Sequence, residues 1–103
     1  MKLKFKDFIG AMEDCNKAIT LKPDDYEAYN TRADIKYDSK DYAGAIEDYS
    51  NAIKLYPDLA DAYFNRGTCK LNLKSKHAAC LDWDKAKKLG NQDAPGFINS
   101  YCR

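Results

Sequence analysis

The sequence has none of the local features that predict membrane insertion, secretion or nucleic-acid binding. No apolar run approaches the ~18 residues of a membrane-spanning helix. The segment KLKFKDF after Met1 lacks the apolar core of a secretory signal peptide. Lys and Arg total 17 while Asp and Glu total 16, and the net charge of +1 indicates no polyanionic partner. We therefore expect neither a membrane nor a nucleic acid as partner, and the cytoplasm is the favoured compartment.

Reactive side chains are scarce and form no catalytic or metal-binding pattern. The sequence contains no Gly-rich phosphate loop, no nucleophile elbow and no Ser, His and Asp that could form a triad. The four cysteines and the single histidine show no Cys-x-x-Cys or other zinc-type spacing. His77 and Cys80 fall on one helix face, but two ligands make an incomplete metal site. We therefore predict no enzyme, no catalytic residue, no cofactor and no metal.

What the sequence does contain is an internal repeat of about 34 residues. The segment 41–58, DYAGAIEDYSNAIKLYPD, returns in degraded form upstream at 7–24 and downstream at 75–92. The repeated columns are Ala11, Ala45 and Ala79; Ala18, Ala52 and Ala86; Asp14, Asp48 and Asp82; Cys15, Tyr49 and Trp83; and Leu21, Leu55 and Leu89. A fixed period of this length predicts stacked supersecondary units rather than one irregular core.

The residues that precede each copy repeat as well, since YEAYNTRA at 26–33 aligns with ADAYFNRG at 60–67. With both parts together, the chain resembles the tetratricopeptide repeat (TPR) family, whose units are helix–turn–helix pairs. The positions that carry the resemblance are the aromatic Tyr29 and Tyr63, the small Ala33 and Gly67, the alanines Ala45, Ala52, Ala79 and Ala86, and the prolines Pro23 and Pro57. The resemblance covers nearly the whole chain.

The repeat register predicts an all-α chain that forms one domain. Residues 1–25 correspond to a truncated first repeat, 26–59 and 60–93 to two full repeats, and 94–103 to a C-terminal capping helix. The resemblance implies a right-handed α-α superhelix, a helical-hairpin solenoid. We expect residues 1–6 to be the end of a first helix, cut from a longer array. The second helix of this half repeat is expected to start at Asp7 and to be closed by Pro23. Further helices are expected at 26–39, 42–55, 60–74, 76–89 and 94–102, with Asp7, Asp41, Ser75 and Asp93 as N-caps.

Four basic positions depart from the family pattern. Arg32 and Arg66 stand where the family usually has leucine, and Lys36 and Lys70 where it often has an aromatic residue. An arginine on a half-buried helix face needs a carboxylate partner. The repeated candidates are Asp14, Asp48 and Asp82. We therefore predict Arg–Asp pairs that link helices within or between repeats.

The cysteines divide into two pairs. Cys15 and Cys69 lie in repeats that do not touch, and we expect both to be free buried thiols. Cys80 and Cys102 belong to neighbouring helices of the last repeat and the cap. A bridge between them requires Cα atoms within about 7 Å, which the sequence leaves open.

The resemblance implies a protein-interaction module whose concave wall is built from the first helix of each pair. At helical spacing, the candidate groove residues are Glu27, Asn30, Asp34, Tyr37 and Asp38 in one helix, and Asp61, Phe64, Asn65, Thr68, Leu71 and Asn72 in the next. They include four carboxylates and no lysine or arginine, so we predict a protein or peptide partner that is basic or neutral rather than acidic. Tyr37 and Phe64 are the expected apolar anchors; the alternative is a solvated acidic helix face.

One subclass of the family binds chaperone tails by clamping a C-terminal carboxylate with lysines, an arginine and asparagines. Asn65 matches one asparagine of that pattern. The lysine and second asparagine of the clamp would then fall on Asn30 and Asp34. In the other register, Asp61 occupies the place of a lysine in the third helix, and Asn65 stands where the arginine should be. The pattern fails in either register, and chaperone-tail binding is not expected.

A second functional hypothesis is structural. The chain could be a spacer or assembly segment of a longer array, with no peptide ligand of its own. A truncated first repeat leaves Phe8, Met12 and Cys15 without a covering helix on one side. Such an apolar face favours association, so we predict self-association through residues 1–19.

Overall fold

The computed structural model describes the backbone of residues 5–102 and the side chains of residues 8–102. This part of the chain consists of helices without strands. The helices are α1 (Phe5–Leu21), α2 (Tyr26–Asp38), α3 (Tyr42–Leu55), α4 (Ala60–Asn72), α5 (Lys76–Lys88) and α6 (Ala94–Tyr101). Each helix packs on the next one along the chain, giving an elongated body of 41 × 27 × 21 Å. This is the all-α arrangement of stacked helical hairpins that the repeat predicts.

Small residues allow the paired helices to approach closely. Ala45, Ala52, Ala79 and Ala86 have no exposed surface, as the repeat register predicts. Gly67 is also buried, and a Cβ added there would lie 2.8 Å from two atoms of the Trp83 indole. Side-chain volume at these positions would therefore push the helices of a hairpin apart.

The predicted ion pairs join the two helices of each full repeat. Arg32 of α2 donates from Nε and Nη2 to the two carboxylate oxygens of Asp48 in α3, at 2.8 and 2.7 Å. Lys36 Nζ lies 2.9 Å from the same carboxylate. Burial opposes ionisation of Asp48, but the hydrogen bonds from Arg32 and Lys36 outweigh it and hold the pKa of Asp48 below its ordinary value.

The same arrangement recurs one repeat later. Arg66 donates to both oxygens of Asp82 at 2.9 and 2.8 Å, and Lys70 Nζ lies 2.9 Å from Asp82. The prediction of Arg–Asp pairs is therefore confirmed at Asp48 and Asp82. The prediction is not met at Asp14, which has no ion pair within the described residues.

The start of α1 differs from the prediction. Asp7 is not an N-cap, because the helix already includes Phe5 and continues through Asp7 without a break. In the later repeats the corresponding turn is made by Lys40 and Lys74, which take left-handed backbone angles of φ 67° and 66°. The backbone makes no such turn at Lys6, which lies within α1. The remainder of the predicted first-helix end, residues 1–4, lies outside the described residues.

The other helix ends agree with prediction within two residues, and the predicted residues occupy the N-cap positions of α3, α5 and α6. Asp41 accepts a hydrogen bond from the Gly44 amide at 3.1 Å, as expected of an N-cap. The side chains of Ser75 and Asp93 make no such bond. At the start of α6, Asn91 Oδ1 instead accepts from the amides of residues 93 and 94, at 3.0 and 2.9 Å. Cys15 and Cys69 are free and buried as predicted, while Cys80 and Cys102 form a disulfide.

Candidate peptide-binding groove

The first helices of the two full repeats, α2 and α4, contribute to one surface. The Tyr49 hydroxyl, from α3, donates a hydrogen bond to Asp34 of α2 and lies near Asn65 of α4. Tyr37 of α2 lies beside Thr68 of α4. These contacts bring residues from both predicted stripes together. We call the surface formed by the eleven predicted residues the groove.

Asp34 lies close to two other carboxylates of the groove. Partial burial raises the pKa of Asp34; the Tyr49 hydroxyl opposes this shift, and the nearby Asp38 and Asp61 carboxylates reinforce it. Burial and donation to Asp34 both raise the pKa of Tyr49, so the phenol stays protonated and keeps donating. Asp38 and Asp61 are exposed, and Asp34 keeps exposed surface although its neighbours partly desolvate the carboxylate, so this negative charge faces solvent.

The basic side chains of α2 and α4 all turn away from the groove. Each helix carries two, and these are the same arginines and lysines that pair with Asp48 and Asp82: Arg32, Lys36, Arg66 and Lys70. Their charges are therefore committed to the interior of each hairpin. Among the eleven groove residues none is basic, so the negative charge of the groove is not balanced within it.

The polar groups of the groove differ in how well they are satisfied. The Asn72 side chain donates to the Thr68 carbonyl at 2.9 Å, and the Thr68 hydroxyl donates to the Phe64 carbonyl at 3.1 Å. Both residues are therefore engaged with their own helix. Asn30 differs, because its Oδ1 is buried and accepts no hydrogen bond from the described residues. Glu27 is exposed at the start of α2.

The far end of the groove includes residues that the sequence pattern did not indicate. Asn91 Nδ2 donates to Asp61 at 2.9 Å. Phe97 of α6 packs edge-on against Phe64, with ring centroids 4.8 Å apart, and Leu71 packs against the same cluster. Phe64 is half-buried as a result, whereas Tyr37 packs edge-on against Tyr42 at 5.9 Å. Asn91 and α6 follow the last repeat copy, so the repeat gave no signal for them.

Other surface features lie outside the groove. A cleft of about 410 Å³ at the end of α1 is lined by Asn16, Lys17, Thr20 and Leu21. A second of about 430 Å³ surrounds the disulfide. No group of three His, Cys, Asp or Glu side chains in the described part of the chain could hold a metal ion. Among residues 5–102, no helix combines the length and apolarity needed to cross a membrane.

Comparison with known proteins supports the repeat assignment. The family model described as TPR repeat matches residues 33–71. A search of curated proteins found no match. Three solved structures resemble the fold of this chain over most of its length.

The first is the first TPR of Spaghetti (RPAP3) bound to the HSP90 peptide SRMEEVD, with TM-score 0.87 and 22% identity over 92% of this chain and 77% of that one. The first TPR domain of human RPAP3 has a TM-score of 0.86 and 21% sequence identity, and the match covers 94% of this chain and 78% of that one. The TPR2B domain of yeast Sti1 in a pHsp70 complex has a TM-score of 0.81 and 22% sequence identity, and the match covers 94% of this chain and 82% of that one. At these identities the likeness shows the fold, which is the α-α superhelix of helical hairpins that the sequence predicts.

Proposed function

We propose that this chain is a protein-interaction module. The tetratricopeptide repeat model matches residues 33–71, and α1 to α6 have that family's fold. The ligand of the module is a peptide segment of a partner protein, held along the groove of α2 and α4. The family builds such surfaces from the first helix of each hairpin, as the resemblance implies. The preferred peptide is basic or neutral and carries one or two apolar side chains.

The observation that carries this proposal is the direction of the charges on α2 and α4. Their cations are engaged with Asp48 and Asp82 on the opposite side of each helix. Turning one of them toward a ligand would take away one of the two cations that each buried carboxylate holds, and this loss opposes the movement. The groove therefore has carboxylates available and no cation to offer, and it attracts cationic and repels anionic side chains.

Asp34 provides a hydrogen-bond acceptor for a peptide. It is held by the Tyr49 hydroxyl and retains further acceptor capacity. Asn30 Oδ1 also lacks a donor among the described residues, but it is buried, so a peptide N–H reaches it only if the side chain turns outward. Tyr37 offers a half-buried ring beside Thr68. A peptide that carries a lysine or arginine next to an apolar side chain would complement these groove residues.

The proposed preference differs from the ligand of one structural neighbour. The HSP90 peptide bound by the Spaghetti TPR, SRMEEVD, contains three acidic residues and one basic residue. A groove for such a tail needs exposed cations. Here the corresponding surface presents Asp34 and Asp61, and the remaining groove residues are neutral or acidic. We therefore propose that this chain discriminates against acidic tails.

A peptide array with matched apolar residues and varied charge tests the proposal. We expect basic and neutral peptides to bind and acidic ones to be rejected. The variant Asp38→Lys, Asp61→Lys should reverse this order, since both side chains are exposed and neither accepts from Tyr49. The control Asp24→Lys, Asp58→Lys makes the same charge change in exposed turns outside the groove and should keep the original order. Equal or better binding of acidic peptides by the unmutated chain would refute the proposal.

The assembly hypothesis also has a specific observation in its favour. Leu21 is 86% exposed and Ile9 47% exposed, both on α1, and Leu21 lines the 410 Å³ cleft. We propose as the second candidate that α1 packs against another repeat or another copy of this chain. Sedimentation should then show association that weakens in an Ile9→Glu, Leu21→Glu variant. A concentration-independent monomer would exclude self-association as the role of this face.

A further inference from the structure

α6 covers the end of the helical stack through a small number of attachments. It is 8 residues long and contains Gly96, which lowers its intrinsic helical stability. Several of its contacts are aromatic: the Phe97 ring centroid lies 5.4 Å from that of Trp83, and the Tyr101 centroid lies 5.6 Å from it. Ala94 is fully buried in the same cluster, and Ile98 packs against it. A helix of this length does not persist alone in water. Its place on the stack therefore depends on these side-chain contacts and on one covalent link to α5.

That link is the disulfide between Cys80 and Cys102, whose Cα atoms are 5.9 Å apart. Both cysteines are half-buried and line the cleft of about 430 Å³ together with the exposed Lys76 and His77. The sulfurs are consequently within reach of a small molecule from solvent. The two other cysteines, Cys15 and Cys69, are free but buried.

The two bridged sulfurs differ in how well each could leave as a thiolate. Cys80 is the fifth residue of α5, near the positive end of that helix, and Lys76 and His77 precede it by four and three residues on the same face. Cys102 is the C-cap of α6, where the helix dipole is negative and opposes an anion. Exchange is faster when the leaving sulfur is the better stabilised thiolate. Cys80 is therefore the favoured leaving group.

We propose that the Cys80–Cys102 bridge is a thiol–disulfide exchange site that determines whether α6 stays docked on the stack. The thiolate of a low-molecular-weight thiol attacks Cys102 Sγ; a mixed disulfide forms there, the bridge breaks, and Cys80 leaves as a thiolate. A second thiolate attacks the small-thiol sulfur of the adduct and releases Cys102 as a thiolate. The two small thiols are oxidised to their disulfide, and the two cysteines are reduced.

Release of α6 would change the end of the stack. Phe64 and Trp83 lose the rings of Phe97 and Tyr101 that cover them, and an aromatic surface is exposed beside the groove. The proposal does not depend on peptide binding, because the exchange reaction and the release of α6 are both measured without a ligand.

The leaving-group assignment is tested by trapping the mixed disulfide. The oxidised full chain is treated with glutathione, quenched with acid and mapped by mass spectrometry. We expect the adduct mainly on Cys102 and several-fold slower exchange in Lys76→Gln, His77→Gln. The control Lys87→Gln, Lys88→Gln alters charges at the opposite end of α5 and should leave the rate unchanged. An adduct mainly on Cys80, or equal rates in the two variants, would overturn the assignment.

The release of α6 is tested by amide hydrogen exchange and by quenching of Trp83, the single tryptophan of the chain. After reduction with dithiothreitol, we expect exchange in α6 to accelerate by at least about tenfold and acrylamide quenching to rise, while α2 to α5 keep their protection. The Cys80→Ser, Cys102→Ser variant should show the reduced behaviour with no response to reductant. Unchanged α6 protection after reduction would overturn the proposal, and so would an equal loss of protection in α2 to α5.

Discussion

Replacement of Gly67 by alanine tests the close packing on which the repeat assignment depends. A Cβ at this position would lie 2.8 Å from Cδ1 and Nε1 of Trp83 and 3.1 Å from the Ala79 carbonyl oxygen. Neither neighbour has room to move freely, since Trp83 and Ala79 are fully buried. The Trp83 ring is also held by its Nε1 donation to the Phe64 carbonyl at 3.2 Å.

The magnitude follows from three opposing contributions. Overpacking of a filled interior costs about 1–3 kcal/mol. Displacement of the indole weakens its hydrogen bond to Phe64, which contributes about 1 kcal/mol. Alanine favours the helical backbone over glycine by about 1 kcal/mol. We therefore expect Gly67→Ala to lower the free energy of unfolding by about 1–3 kcal/mol.

Gly10→Ala is the matched control. Gly10 lies within α1, and an added Cβ there would meet nothing within 4 Å, so only the helical preference acts. This variant should be more stable than the parent by about 1 kcal/mol. Urea unfolding followed by circular dichroism and by Trp83 fluorescence measures both changes. A Gly67→Ala protein stabilised like Gly10→Ala would refute the packing argument.

Two further predictions concern turns and ion pairs. Lys40→Gly should raise the free energy of unfolding by about 0.5–1 kcal/mol, because glycine takes the left-handed conformation of Lys40 (φ 67°) without steric cost. Lys85→Gly, at an exposed position in the last turn of α5, should lower it by up to about 1 kcal/mol in the same thermal unfolding assay. Because the folded pKa of Asp48 is lowered, its contribution to stability is present above the unfolded value of about 3.9 and is lost as pH falls through the folded pKa. Asp48→Asn should therefore have a lower melting temperature than the parent at pH 6. Between pH 6 and pH 2 its melting temperature should fall less steeply. Identical slopes in the two proteins would contradict a stabilising pairing of Asp48 with Arg32 and Lys36.

The repeated part of the fold was predictable because equivalent residues make the same contacts in both full repeats. The helix at 42–55 agrees with its prediction at both ends, since Asp41 caps its start and Pro57 follows its end. The pairs of Arg32 with Asp48 and Arg66 with Asp82 were predictable because an unusual basic residue and an acidic one recur together. Periodicity thus identified contacts between residues far apart in the chain.

Features that occur once were harder to predict. Capping of α6 by Asn91, the cover of Phe64 by Phe97 and the bridge from Cys80 depend on where the last helix docks, and no second copy reveals it. Asp7 resembles the later cap Asp41, but a cap needs a turn before it, and α1 is continuous there. Helical spacing predicted that α2 and α4 contribute to one surface, and the contact of Tyr37 with Thr68 agrees with this. The full set of groove residues and the ligand that they prefer remain proposals.

The binding preference of the groove is tested most directly by the ratio of two dissociation constants. Two labelled peptides, identical in apolar residues but carrying lysines or glutamates between them, are titrated with this chain by fluorescence anisotropy. We predict tighter binding of the lysine peptide at 0.1 M salt, with an advantage that shrinks at 1 M, because the Debye length falls from about 10 to about 3 Å. Tighter binding of the glutamate peptide, or a ratio insensitive to salt, would contradict the acidic peptide-binding groove.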